Sequence, residues 1–169
     1  MSYVGWLPDL VIFRDYDNNW DRYLEALYKF YKKDFIYSKP IFCDKRLGIK
    51  KNPYYNNKEA TFWHIIQEGK KEDERTPDLR RCERIRWPKP IIEHRDKIGI
   101  KIWENIRHKK KGIQHSICIW FKDAEYLVIL RKRSSYILFW TAYPVTENHR
   151  KRKLEKEYQE YKKGKERFK

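Results

Sequence analysis

The stretch "IQHSICIWFKDAEYLVILRKRSSYILFWTAYPV", residues 113–145, carries the pattern from which the architecture follows. Ile, Val, Tyr and Trp recur in it with a period near two, in runs separated by "KDA" and "SS". A further run, "IGIKIWENI" (98–106), precedes it across "RHKKKG". β-Branched and aromatic residues in alternation, bounded by turn residues, predict a four-stranded antiparallel meander. Tight hairpins at "KDAE" and "RSSY" set a register by hand: Ile119 opposite Val128, Phe121 opposite Tyr126, Val128 opposite Thr141, and Tyr126 opposite Tyr143. Side chains alternate across a strand, so Ile117, Ile119, Phe121, Tyr126, Val128, Leu130, Phe139, Thr141 and Tyr143 are expected on one face. His115 and Lys132 fall on it too, toward the opposite end. Two hydroxyls, on Thr141 and Tyr143, then interrupt an otherwise apolar surface.

Upstream the period is helical. In "DYDNNWDRYLEALYKFYKKD", Trp20, Leu24, Leu27 and Tyr31 form a stripe behind Asp17, Asn18 and Asn19, which predicts a helix over about 19–33. Pro40, Gly48 and Pro53 break the next stretch into short extended pieces and loops. "KEATFWHIIQEG" reads as a short helix that buries Phe62, Ile65 and Ile66, stops at Gly69 and leaves His64 off the stripe. In "RTPDLRRCERIRWPKPIIE", Thr76 is expected as N-cap, Pro77 at the first helical position and Pro88 as the stop. Leu79, Cys82 and Ile85 give that helix a narrow apolar edge, leaving Arg80, Arg81, Arg84 and Arg86 outward. The fold class expected is α+β: N-terminal helices, then the meander, then a charged C-terminal helix. One domain over 1–147, helical over about 1–90 and sheet over about 91–147, would carry a basic tail at 148–169.

The chain has 169 residues, 40 Lys and Arg against 24 Asp and Glu, and a formal net charge of +16. Such a field attracts polyanions, of which nucleic acid is the commonest. Aromatic residues at 17% argue against a disordered basic chain. No apolar run approaches the length of a membrane helix, and no secretion signal is visible, so a cytoplasmic protein without membrane contact is expected. Cys43, Cys82 and Cys118 are odd in number and lack C-x-x-C spacing, which fits reduced thiols. No clustered Asp, Glu, His or Cys suggests a metal, and neither a phosphate-binding loop nor a nucleophile elbow occurs, so no cofactor is expected. Phosphate chemistry without a metal remains open to RNA, whose 2′-OH can attack the neighbouring phosphate. That reaction needs a base, an acid and cations around the phosphate.

"TFWHI", "RRCERIRW" and the closing "FWTAYPV", in that order, resemble the superfamily of barnase, EndoU, colicin E5/D and RelE-like ribonucleases, especially bacterial toxin and phage-associated members. The resemblance covers about residues 55–147. It implies a metal-independent endoribonuclease leaving 2′,3′-cyclic phosphate ends, with His64 as general acid or base, Arg84 as phosphate clamp assisted by Arg81, and Thr141 and Tyr143 as strand-borne hydroxyls. RNA rather than DNA would be the partner, and a toxin role would require an antitoxin or immunity protein. Arg80, Arg81, Arg86 and Trp87, with Arg131, Lys132 and Arg133, are the expected nucleic-acid contacts. Two other readings use the same charge: a non-catalytic RNA- or DNA-binding module, and a basic adaptor for an acidic protein.

Overall fold

A computed structural model describes residues 5–166; residues 167–169 of the expected tail, like residues 1–4, lie outside the described residues. Helix α1 (Trp20–Lys32) starts where Asn19 caps it, its Oδ1 accepting from the Arg22 N–H at 3.1 Å, and ends among lysines that suit the helix C-terminus. It buries Tyr23, Leu27 and Tyr31, while Trp20 and Leu24 are only half-buried. The chain continues through a π-helical turn at Lys33–Tyr37. Strands β1 (Ile41–Phe42) and β2 (Lys45–Arg46) form a small hairpin, followed by β3 (Gly48–Ile49).

Helix α2 (Ala60–Ile66) runs into β4 (Gln67–Glu68), which pairs with β5 (Thr76–Pro77). Two short helices come next, α3 (Leu79–Glu83) and α4 (Pro88–Glu93). Pro88 therefore opens a helix rather than closing one, and α3 has already ended at Arg84. This follows from proline's missing N–H, which costs nothing in a first turn.

The main sheet contains β6 (Ile100–Lys109), β7 (Gly112–Phe121), β8 (Tyr126–Lys132) and β9 (Ile137–Pro144). Its order is β3-β9-β8-β7-β6. The sheet is thus mixed and five-stranded rather than a four-stranded meander, because β3 pairs in parallel with β9 at Gly48↔Leu138 and Ile49↔Phe139. The fold is α+β, with helix α5 (Asn148–Glu166) at its end.

Between β7 and β8 the pairing is Ile119↔Val128 and Phe121↔Tyr126. Between β8 and β9 it differs from the simple hairpin register. Leu130 pairs with Phe139, but Ile129 pairs with Thr141, so Trp140 is an extra residue in a β-bulge. Beyond the bulge Val128 faces Ala142, Leu127 faces Tyr143 and Tyr126 faces Pro144. Ala142 takes the core position expected for a hydroxyl residue, and Thr141 and Tyr143 leave that face together.

The sheet is covered on both sides. Ile117, Ile119, Phe121, Tyr126, Val128, Leu130, Phe139 and Ala142 join the helices in the larger core, where Phe35 and Phe139 stack at 4.4 Å between ring centroids. Trp103, Cys118, Trp120, Leu127 and Val145 form a second cluster, against which Leu154, Tyr158 and Tyr161 of α5 pack. The charged C-terminal segment is therefore docked. Lys101 Nζ bonds the Glu155 carboxylate at 2.6 Å, and an ion pair joins Lys151 to Glu125. Cys82 and Cys118 are buried free thiols, whereas Cys43 is exposed.

Ala142→Ser would place an unpartnered hydroxyl at the fully buried core position opposite Val128 and should lower stability by roughly 1–3 kcal/mol. Urea unfolding of the variant measures it; a variant as stable as the parent would show that the bulge does not turn Ala142 into the core.

A candidate nucleic-acid cleft beside strand β9

The site is built around the end of α2. All seven residues of this helix are buried, His64 included at 6% relative exposure. The expectation of an outward face for His64 fails because α2 is wedged between β9, α3 and the aromatic core. The helix ends when Gln67 turns extended, at φ −114° and ψ 153°, to enter β4. Gly69 is therefore not its stop. Gly69 instead adopts φ +141° in the following turn, where a Cβ would come within 3.1 Å of the Arg75 Cα and Cγ.

The last carbonyls of a helix lack intrahelical donors, and here α3 and β9 supply them. The His64 carbonyl accepts from Thr141 Oγ1 at 3.1 Å and from Arg81 Nη1 at 3.4 Å. The Ile66 carbonyl accepts from the Asp78 N–H at 2.9 Å. Asp78 is also the N-cap of α3, its Oδ1 accepting from the Arg80 N–H at 2.9 Å. The expected cap, Thr76, lies in β5 instead. Placing the cap two residues later turns Arg81 toward β9, where its guanidinium lies 4.9 Å from the Tyr143 ring centroid.

His64, Arg75, Arg81, Trp140, Thr141 and Tyr143 line one small cleft of about 140 Å³. His64 is flanked by Trp140 at 5.7 Å between ring centroids and by Glu72, whose Oε1 is 3.4 Å from Nε2. Burial, reinforced by the Arg75 cation, holds the His64 pKa below its usual 6.5 despite the bond to Glu72. The imidazole is therefore neutral at neutral pH. Burial pushes the Tyr143 hydroxyl upward against the opposing pull of Arg81, so it keeps its proton.

A second cavity, about 550 Å³, adjoins the first through His64, Gln67 and Arg75, and its far wall carries Tyr54, Tyr55 and Trp63. Tyr54 and Tyr55 are exposed, and Tyr55 meets Trp63 edge to face at 5.3 Å. Arg75 and Arg81 outnumber the one carboxylate lining the cleft, Glu68, while Glu72 and Asp73 line the chamber. Aromatic rings beside two guanidinium groups suit an unstacked base next to its phosphate.

The remaining sequence candidates lie elsewhere. Arg84 does not line the cleft: its Nη1 donates to the Arg80 carbonyl at 2.9 Å, and its guanidinium sits 5.1 Å from the Trp87 ring. Trp87 is a core residue at 1% exposure, with Nε1 donating to the Pro8 carbonyl, so it offers no open stacking platform. Arg80 is exposed and pairs with Asp78, and Arg86 lies 5.0 Å from the Phe30 ring. Arg131 stacks 4.8 Å from Trp140, Lys132 lies 3.8 Å from Glu104, and Arg133 belongs to the β8–β9 turn, its N–H bonding the Tyr136 carbonyl.

Arg75, Trp140 and the Tyr54–Tyr55 pair were not singled out by sequence reasoning. Only the Tyr54–Tyr55 pair carried a visible signal, two adjacent aromatic residues in a polar loop. Among the described residues, no group of three or more His, Cys, Asp and Glu side chains could hold a metal ion, and no helix is long and apolar enough to cross a membrane. Comparisons with protein-family models, curated proteins and solved structures find nothing that matches this chain.

The state of His64 has a stability signature. Its folded pKa is depressed, so as pH falls below 6.5 the unfolded chain takes up this proton before the folded one does. Stability should decline from 6.5 down to the folded pKa and level off below it. Urea melts across that range should show this component in the parent and lack it in His64→Gln; identical pH slopes would contradict a buried neutral imidazole.

Proposed function

We propose that the protein is a metal-independent endoribonuclease acting on single-stranded RNA. The observation that carries this reading is the convergence of His64, Arg81, Thr141 and Tyr143, from three separate segments, on one cleft beside an aromatic chamber. In this reading the base enters the chamber of Tyr54, Tyr55 and Trp63, and the scissile phosphate lies against Arg81 and Arg75. Arg81 takes the clamping role that the resemblance implied for Arg84, with Arg81 assisting. Its existing ion pair with Asp78 is long, at 3.8 Å, and leaves it able to engage a phosphate.

The neutral His64 imidazole accepts the proton of the 2′-OH. The 2′-oxygen bonds to phosphorus, the bond from phosphorus to the 5′-oxygen breaks, and the departing oxygen takes the Tyr143 proton. Solvent then returns the proton from imidazolium to phenolate. The two products are a 2′,3′-cyclic phosphate and a free 5′-hydroxyl, and atoms and charge balance without a metal. Arg81 and Arg75 offset negative charge on the phosphate oxygens throughout. Thr141 holds the His64 backbone in place rather than meeting the substrate.

Purified protein incubated with RNA in EDTA should yield fragments with 2′,3′-cyclic ends. His64→Gln, Arg81→Ala and Tyr143→Phe should each lower the rate by roughly 10²-fold or more, whereas Arg84→Ala should retain most of it. Intact RNA, or full rates in all three cleft variants, would overturn the proposal. A non-catalytic RNA-binding module is the second reading, favoured by the use of the Thr141 hydroxyl as a donor within the fold. RNA retained in a gel without any cleavage would select it.

A further inference from the structure

Several cations unused by the proposed chemistry gather on the far side of Tyr143. A cavity of about 280 Å³ lies between the outer face of the sheet and α5. Leu127, Ile129, Val145 and Leu154 contribute its apolar surface, and Arg107, Arg131, Arg150 and Lys153 its charge, against a single carboxylate on Glu157. That carboxylate is shared: its Oε2 accepts from Trp103 Nε1 at 3.3 Å and Asn105 Nδ2 at 3.1 Å, and its Oε1 lies 3.8 Å from Arg107. Arg150 pairs at 3.1 Å with Glu147, outside the cavity lining, so four cations meet two carboxylates. Arg131 Nε is buried with no hydrogen-bond acceptor. Its neighbours Arg107 and Arg133 are themselves cations. A cluster of this kind is left short of negative charge, and an anion would supply it.

The cavity and the cleft share a wall. Tyr143 lines both, and Trp140 lies between Arg131, at 4.8 Å, and His64, at 5.7 Å. A flexible polyanion reaching His64 thus finds the second set of cations next to the first. Its apolar surface can receive the face of a base while the cations hold a phosphate, and a space between helix and sheet admits one strand, not a duplex.

We propose that the cavity under α5 is a second nucleotide subsite, holding the base and phosphate of the RNA residue adjacent to the one at His64. This rests on the nucleic-acid reading of the His64 cleft. The protein would then grip a short single-stranded segment by two cationic stations on either side of Tyr143, and α5 would be part of the binding surface.

The test uses a fluorescent, uncleavable single-stranded hexanucleotide, with its Kd measured in EDTA over a range of salt. The variants are Arg150→Ala/Lys153→Ala and, as a control of equal charge change on the exposed β6–β7 turn, Lys110→Ala/Lys111→Ala. The first should weaken binding by roughly tenfold and reduce the salt slope by about one to two, and the second should do much less. Equal affinity and slope in Arg150→Ala/Lys153→Ala, or an equal loss in both variants, would overturn the subsite even if the protein cleaves RNA. Selective loss in a protein that never cleaves RNA would keep the subsite and remove the ribonuclease. Absence of hexanucleotide binding by the parent would overturn both.

Discussion

A strand of period two can change which residues face the core only by gaining or losing one, and β9 gains Trp140. Up to Phe139 its inward residues continue the pattern of β7 and β8. After the bulge, Ala142 points into the core while Thr141 and Tyr143 are released from it. The released Thr141 reaches the His64 carbonyl, and Tyr143 stands under the Arg81 guanidinium. One inserted residue thereby decides both the neighbours of α2 and the walls of the cleft. The same inserted residue also supplies the indole that separates His64 from Arg131.

The end of α2 ties this arrangement to the helical half. Its carbonyls are satisfied from two directions, by β9 through Thr141 and by α3 through Arg81 and the Asp78 N–H. A buried carbonyl without a donor is costly, so the three elements hold one another in register. The cleft is the space left between them. Its polar character follows from that bonding, because the groups that terminate a helix also point charge and hydroxyls at one place. Burial then sets the protonation states: it holds the His64 pKa down and the Tyr143 pKa up, which favours a neutral imidazole and a protonated phenol.

The legible part of the sequence was the part governed by local period. Strands over 100–144 and the helix capped by Asn19 follow from alternation and capping, which act within a few residues. The β8–β9 register was not legible, since an aromatic bulge residue such as Trp140 has the same β propensity as a paired one. The parallel strand β3 was hidden by its length of two residues, too short to carry a period. His64 looked solvent-facing because the three apolar residues of α2 mark one stripe, whereas tertiary packing covers every side of so short a helix. The C-terminal helix was legible in the helical spacing of Leu154, Tyr158 and Tyr161, but whether it docks was not. Leu154, Tyr158 and Tyr161 are few among the charges, yet they suffice when the facing strands offer Trp103, Trp120 and Leu127.

The contrast between Arg81 and Arg84 shows how a cap directs side chains. Three residues apart, they would lie on neighbouring positions of a continuing helix and serve the same phosphate. Asp78 starts α3 late, and Arg84, at φ −99° and ψ 18°, has already left it. The chain then turns so that Arg84 covers the buried Trp87 while Arg81 faces Tyr143. Arg84 is spent on the fold, bonded to the Arg80 carbonyl and paired with Glu83 at 3.5 Å. Arg81 donates to the His64 carbonyl at 3.4 Å and meets Asp78 at 3.8 Å, both long for charge-assisted bonds. A guanidinium held by two long contacts keeps its position while retaining donors for a shorter bond to an arriving anion. That separates an arginine held by the fold from one with donors to spare within four residues of chain.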